Sequence, residues 1–254
     1  ILVGDNPASI TYVNAKKRRC EQIGYFSIVD KQPTTISQDK LISIVEKLNN
    51  DPNIHGILVQ APLPPHIDYN AITNTISPKK DVDGFHPINV GKMLIGQRDG
   101  FFPCTPYGIL TLLNAYNIDL SSKHVVICGR SNIVGKPLAA LLIQRGVDAT
   151  VTIAHSYTKD IHNLTKIADV LISGIGKPDF ITKDMVKKGA TVIDVGINRI
   201  VKENHHCKIC GDVDFENVSK IAKNITPVPG GVGPMTIAML LKNTYKSYLA
   251  HENI

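Results

Sequence analysis

VVICGRSNIVGKPL, residues 125–138, decides the fold. An apolar run leads into Gly129, a polar turn follows, and Gly135 opens a second run with Pro137 near its start. That is the pattern of a buried strand, a tight turn and a helix. In such a turn the glycines let backbone approach a pyrophosphate, and the helix N-terminus faces its charge. The spacing departs from the usual G-x-G-x-x-G, because Gly129 and Gly135 stand six apart and Ser131 takes the middle glycine's place. An ordinary βα turn fits the pattern taken alone. A buried strand before the turn and a helix after it supply the context that phosphate binding requires.

Working outward, residues 124–128, 170–173 and 191–195 read as strands, and residues 135–145 and 160–168 read as helices. Upstream, residues 54–59 read as a buried strand after a helix over 38–49, with Ser37 as its N-cap. Strands alternating with helices predict βαβ units and a parallel sheet. Breaks fall at 100–106 and at 226–234. After the first, Thr105 is expected to cap a helix with Pro106 at its first position, running to near Asn117. After the second, a helix is expected from Met235 to near Leu249. The expected class is α/β, with two α/β lobes and a cleft between them. Residues 1–106 plus 233–254 form the catalytic lobe; residues 107–232 form a Rossmann-like parallel sheet that binds a nucleotide.

Composition narrows the function. Of 254 residues, 43% are hydrophobic and 20% charged, which suits a globular enzyme and excludes wholesale disorder. The net charge of +6 favours anionic ligands without choosing between nucleic acid, phosphates and carboxylates. Aromatic residues are only 6% and Trp is absent, so the basic run Lys16-Lys17-Arg18-Arg19 lacks the stacking platform of a nucleic-acid binder. Five scattered cysteines point to reduced thiols in a reducing compartment. No apolar run reaches the roughly 18 residues of a membrane span. The opening ILVGDNPAS reads as a start in mid-strand, so the natural protein is expected to continue upstream, and a targeting segment there stays open. His205-His206-Cys207-Lys208-Ile209-Cys210 is declined as a zinc site, because no second Cys/His pair is spaced to complete four ligands.

Several residues stand out by position. The second strand of the nucleotide lobe ends in His155-Ser156-Tyr157-Thr158 with no carboxylate to repel a 2′-phosphate; with Arg130 and Ser156 as donors this favours NADP over NAD. Gln60 follows a buried strand, where polar groups face a ligand crevice, although a loop-capping amide reads equally well. Asp81 and Asp83 precede Gly84 either as an Asx-type turn or as ligand-holding acids. Tyr12 and Lys16 are i and i+4 and share one helix face, whereas Lys17 and Arg18 point elsewhere. From the residues alone, a solvated helix face is the simpler reading of all four cations.

Five segments together carry a resemblance. Tyr12-Val13-x-x-Lys16, Val59-Gln60-x-Pro62-Leu63-Pro64, Lys80-Asp81-Val82-Asp83-Gly84-Phe85, Gly129-Arg130-Ser131-x-Ile133-Val134-Gly135-x-Pro137 and Pro227-Val228-Pro229-Gly230-Gly231-Val232-Gly233-Pro234-Met235-Thr236 occur in order and cover nearly the whole chain. They resemble the bifunctional methylenetetrahydrofolate dehydrogenase/cyclohydrolase family. Ala61 departs from it, where a larger aliphatic residue is common; this touches packing and not chemistry. The resemblance implies NADP-dependent oxidation of 5,10-methylenetetrahydrofolate to the methenyl cation, then hydrolysis to 10-formyltetrahydrofolate. It implies Lys16 as the catalytic lysine, Gln60 as its hydrogen-bonding partner, Tyr12 stacked on the folate ring system and Asp83 on the pterin edge. It places Pro229, Gly230 and Gly231 on the substrate side. Gly129, Arg130, Ser131, Gly135, His155, Ser156 and Ile197 fall on the cofactor side. A cytoplasmic homodimer acting on tetrahydrofolate derivatives in one-carbon metabolism and purine biosynthesis is expected, without metal, nucleic acid or membrane. A member with one activity only, or another two-domain NAD(P)-dependent dehydrogenase of shikimate or amino-acid type, is the alternative.

Overall fold

Parallel backbone pairing organises each of two units in the computed structural model, Ile1–Cys104 with Ile237–Ile254, and Thr105–Thr236. The structure describes residues 1–201 and 207–252. In the first unit, β1 (Leu2–Val3) pairs in parallel with β2 (Lys31–Gln32) across the intervening helix α1 (Pro7–Gln22). The side chain of Asn6 caps α1 by accepting from the nitrogens of Ala8 and Ser9, and Pro7 sits where a missing N–H costs nothing. Helix α2 (Gln38–Asn50) starts at Ser37, whose side chain accepts from the Lys40 nitrogen, and buries Leu41 and Val45. Two short helices follow, α3 (Tyr69–Thr75) and α4 (Pro87–Leu94).

Residues 54–59 differ from expectation. They are extended, but only Ile57 makes a bridge, to Asp81. The Ile57 nitrogen donates to Lys80 O on one side, and Gln60 donates to Ile1 O on the other. Ile57 and Val59 are buried as inward strand residues would be. A strand also needs partners that continue, and here β1 is two residues long and the 80–82 segment turns away.

Helix α5 (Cys104–Ala115) belongs to the second unit from Thr105 onward. This helix starts one residue before the expected cap, so Thr105 lies inside it; its hydroxyl meets that of Thr236 at 2.9 Å instead. Pro106 still falls in the first turn, where no N–H is needed. Then come β3 (His124–Cys128), α6 (Gly135–Leu142), β4 (Thr150–Ala154), α7 (Ile161–Lys166), β5 (Val170–Ser173) and β6 (Thr191–Asp194). A hairpin of β7 (Asn198–Val201) and β8 (Cys207–Cys210) leads to α8 (Phe215–Val218), β9 (Asn224–Ile225) and α9 (Val232–Glu252). Both α6 and α7 are shorter than predicted. Asp160 caps α7 from outside, and the chain after α6 turns through Gly146 at positive φ. The last helix starts at Val232 rather than Met235, because Gly233 and Pro234 fit its first turn. From Ile237 onward it belongs to the first unit, where Asn243 Nδ2 donates to the carbonyls of Val82 and Phe102.

The five-stranded sheet runs β4-β3-β5-β6-β9, all parallel. Consecutive residues of β3 are buried on opposite faces. Val125 and Ile127 join one core with Leu138 and Ile172, while Val126 and Cys128 join another with Leu171 and Val192. Two-sided burial is why these strands read as unbroken apolar runs. Each fully buried Val, Leu or Ile contributes about 1.5–3 kcal/mol. The strand order reverses at β3, which makes its carboxyl end the place where such sheets bind ligands.

Candidate active site

In the first unit, α1 presents Tyr12 and Lys16 on one face. Lys16 Nζ lies 4.8 Å from the centre of the Tyr12 ring. It donates to Gln60 Oε1 at 3.1 Å. Gln60 Nε2 donates to Ala61 O at 2.7 Å, which fixes which end of the amide faces the lysine. Burial holds the Lys16 pKa below the ordinary lysine range, against the opposing pull of Asp83. Lys17, Arg18 and Arg19 are exposed, and Lys17 pairs with Glu21 at 3.8 Å.

The two acids play different parts. Asp81 is buried; its carboxylate accepts from the nitrogens of Gly84, Phe85 and His86 and from Asn89 Nδ2. Burial pushes its pKa up to about 6 despite those donors. It is the turn-forming acid. Asp83 is raised by burial as well, countered first by Lys16 and then by the Cys104 thiol. It shares a small recess with Tyr69, Thr73 and Phe85.

Sequence reasoning passed over Cys104 and Tyr69. The thiol donates to Val82 O at 3.3 Å, and burial with Asp83 beside it drives its pKa well up. The Tyr69 hydroxyl is pushed up to about 12 by burial and then by Asp83. A cysteine after Pro103 and a tyrosine opening a short helix carry no local signal of this. A larger hollow of about 830 Å³ borders α1, among Val13, Lys16, Cys20, Phe26, Tyr245 and Tyr248. Ile57 and Leu58 line it as well, and the hollow opens onto the lysine.

In the second unit, the cofactor-side candidates and the substrate-side loop follow the carboxyl ends of the strands. Gly129 follows β3, His155 and Ser156 follow β4, Ile197 follows β6, and Pro229, Gly230 and Gly231 follow β9. Gly129 has φ +127°, and a Cβ there would meet Gly174 O at 2.5 Å; a Cβ on Gly135 would overlap the Gly129 carbonyl. Only glycine allows this turn to close. Ser131 Oγ accepts from the Val134 nitrogen within the turn. The Arg130 guanidinium sits 5.7 Å from the Tyr157 ring centre, both side chains exposed. No carboxylate stands among residues 155–158. The glycine cradle, the exposed arginine and the missing acid fit a dinucleotide with a 2′-phosphate. His205 and His206 lie outside the described residues.

A parallel sheet with a glycine turn at its switch point in one unit, and a half-buried lysine–amide pair in the other, define a two-domain nicotinamide-nucleotide enzyme. Residues 103–252 match the model for the tetrahydrofolate dehydrogenase/cyclohydrolase NAD(P)-binding domain, and residues 1–83 match that for its catalytic domain. The chain belongs to the tetrahydrofolate dehydrogenase/cyclohydrolase family. It is 58% identical over 259 residues to the bifunctional protein FolD of Protochlamydia amoebophila, covering 100% of this chain and 88% of that protein. It superposes on the crystal structure of the bifunctional FolD dehydrogenase/cyclohydrolase of Campylobacter jejuni with a TM-score of 0.93 at 53% identity, over 99% of this chain and 86% of that one. The Trypanosoma brucei dehydrogenase-cyclohydrolase, solved with NADP and inhibitor, gives 0.95 at 38% identity, over 100% and 86%.

Proposed function

We propose that this chain oxidises 5,10-methylenetetrahydrofolate to the methenyl cation with NADP and hydrolyses that cation to 10-formyltetrahydrofolate. The observation that carries this reading is the Lys16–Gln60 hydrogen bond, a half-buried lysine of lowered pKa held by a neutral amide in a chain of this family. NADP, when bound, supplies the hydride acceptor. Gly129, Ser131 and Gly135 hold its pyrophosphate, Arg130 and Ser156 its 2′-phosphate, and His155 and Ile197 flank it.

In the second reaction, water adds to the bridge carbon and loses a proton as the C–O bond forms. The bond from that carbon to N5 then breaks, the carbonyl forms, and N5 gains a proton; one proton is released in all. Lys16 moves these protons, and Gln60 sets how readily it does so. Tyr12 stacks on the folate ring, Asp83 accepts from the pterin's amino and ring N–H groups, and Pro229, Gly230 and Gly231 bound the substrate side. The protein acts as a cytoplasmic homodimer feeding one-carbon units to purine biosynthesis, and it needs neither nucleic acid nor membrane. Among the described residues, no helix is long and apolar enough to cross a membrane. A spectrophotometric assay tests both reactions: methenyl-folate formation with NADP or NAD, and methenyl-folate loss without nucleotide. Absence of both activities overturns the proposal; absence of one makes the chain monofunctional.

A further inference from the structure

Asp212, in Gly211-Asp212-Val213-Asp214-Phe215 just after β8, is fully buried. Its carboxylate collects five donors. Oδ2 accepts from Ser173 Oγ at 3.2 Å, Ile175 N at 2.6 Å and Gly176 N at 3.1 Å. Oδ1 accepts from Lys177 N at 3.0 Å and Asn198 Nδ2 at 2.9 Å. A second buried carboxylate, Asp194 at the end of β6, holds Asp212 itself by accepting from the nitrogens of Gly196, Asp212 and Val213. A Cβ on Gly196 would overlap the Asp212 carboxylate, and a Cβ on Gly211 that of Asp194. The cradle is therefore shaped at close range for these two acids.

What the cradle holds is the backbone at the carboxyl ends of β5 and β6. Those loops abut the phosphate-binding turn, because Gly174 N donates to Cys128 O at 2.9 Å and Gly174 O faces the Gly129 α-carbon. In a doubly wound sheet the adenosine half of a dinucleotide lies on the β3–β4 side of the switch point, and the nicotinamide half on the β5–β6 side. We infer that Asp212 is a positioning residue for the nicotinamide end of the dinucleotide, acting through residues 175–177 and Asn198; this rests on the NADP reading above.

The chemistry supports a division of labour. The N–H groups of residues 174–177 are all spent, one on Cys128 O and three on Asp212. The loop therefore offers a ligand carbonyl acceptors from its backbone and no N–H donors. That suits the amino group of a carboxamide and disfavours a phosphate. The glycine turn, with the N-terminus of α6, takes the anion instead.

The test is Asp212→Asn, which keeps shape but turns an amino group towards N–H donors. Expected is a rise of about tenfold in the KM for NADP, the order of one lost charged hydrogen bond. The dehydrogenase kcat should fall too. Methenyl-folate hydrolysis without nucleotide should be unchanged. Calorimetry with 2′,5′-ADP, which carries the adenosine end alone, should give the wild-type affinity, whereas that for NADP falls. A purely structural acid would weaken both ligands together, and that result overturns the inference, as does a folded variant with the wild-type KM. Asn198→Ala decides the matter if Asp212→Asn does not fold. It removes one tether and should raise the KM for NADP about fivefold, one net hydrogen bond, with 2′,5′-ADP unaffected; a wild-type KM there also overturns the inference. Wild-type protein that binds NADP yet oxidises no folate sinks the proposed function while the calorimetry still judges Asp212. Wild-type protein that binds no NADP overturns both.

Discussion

Lys16 Nζ donates to Gln60 Oε1 at 3.1 Å, and the amide that receives it is locked by its own bond to Ala61 O. The partner is neutral, so it steadies the ammonium without the pull of a carboxylate at hydrogen-bond distance. Asp83 supplies a weaker electrostatic pull, and burial works against both. A lysine so placed exchanges protons more readily than an exposed one, which is what hydration of a cation demands and hydride transfer does not.

Lys16→Gln should therefore lose methenyl-folate hydrolysis by about a hundredfold or more, within the range for acid–base groups. It should keep a measurable fraction of the dehydrogenase activity, with methenyl-folate accumulating. Lys17→Gln should change neither rate, since Lys17 is exposed and faces Glu21. The assignment is falsified if folded Lys16→Gln still binds folate and hydrolyses methenyl-folate at the wild-type rate.

The pH profile gives an independent check. The neutral amine is the proton-accepting form, so hydrolysis should rise with pH through the Lys16 pKa, below the ordinary 10.5. Gln60→Leu removes an acceptor that favours the charged form, so the rise should move to lower pH. Gln60→Glu adds a carboxylate and should move it higher. Identical profiles for all three proteins would mean that another group limits the rate.

For the cofactor, Arg130→Ala should raise the KM for NADP by about tenfold or more, since a charge-assisted contact to phosphate is worth ~1.5–3 kcal/mol. The KM for NAD should hardly move. Equal weakening of both would put Arg130 on the shared pyrophosphate, and wild-type preference for NAD would remove the 2′-phosphate reading altogether.

Much of the second unit was legible, because β3, β5 and β6 are buried on both faces and their apolar runs need no distant information. The limits of α9 were misread at Pro234, which looks like a stop but is tolerated in a first turn. Residues 54–59 have the burial of a strand, but pairing depends on partners far along the chain, and these are too short to build a ladder. Lys16 and Gln60 are 44 residues apart, and neither carries a local sign of the other; family resemblance joined them. Asp212 was hidden differently, since an acid between Gly211 and Val213 looks like an ordinary turn until the donors around it are counted.

Asp83 and Asp81 offer the last prediction, because the same substitution at each should separate ligand binding from folding. Asp81 spends its carboxylate on three backbone nitrogens and Asn89, so Asp81→Asn turns an amino group towards donors it must accept from. Its cost should appear as stability, about 1–3 kcal/mol by denaturant unfolding. Among the described residues no backbone nitrogen donates to the Asp83 side chain; Lys16 and Cys104 are what oppose the effect of burial on it. Asp83→Asn should leave the unfolding midpoint and NADP affinity near wild type. It should weaken folate binding by about tenfold or more, through loss of a charged acceptor for the pterin N–H groups. The sign with pH follows. The Asp83 pKa lies above the ordinary 3.8, so folate affinity should fall as pH drops through that raised value, and the variant should lack this dependence. Calorimetry with a folate analogue across acidic pH measures both. If Asp83→Asn loses stability and keeps its folate affinity, the turn is the business of Asp83 and the pterin is held elsewhere.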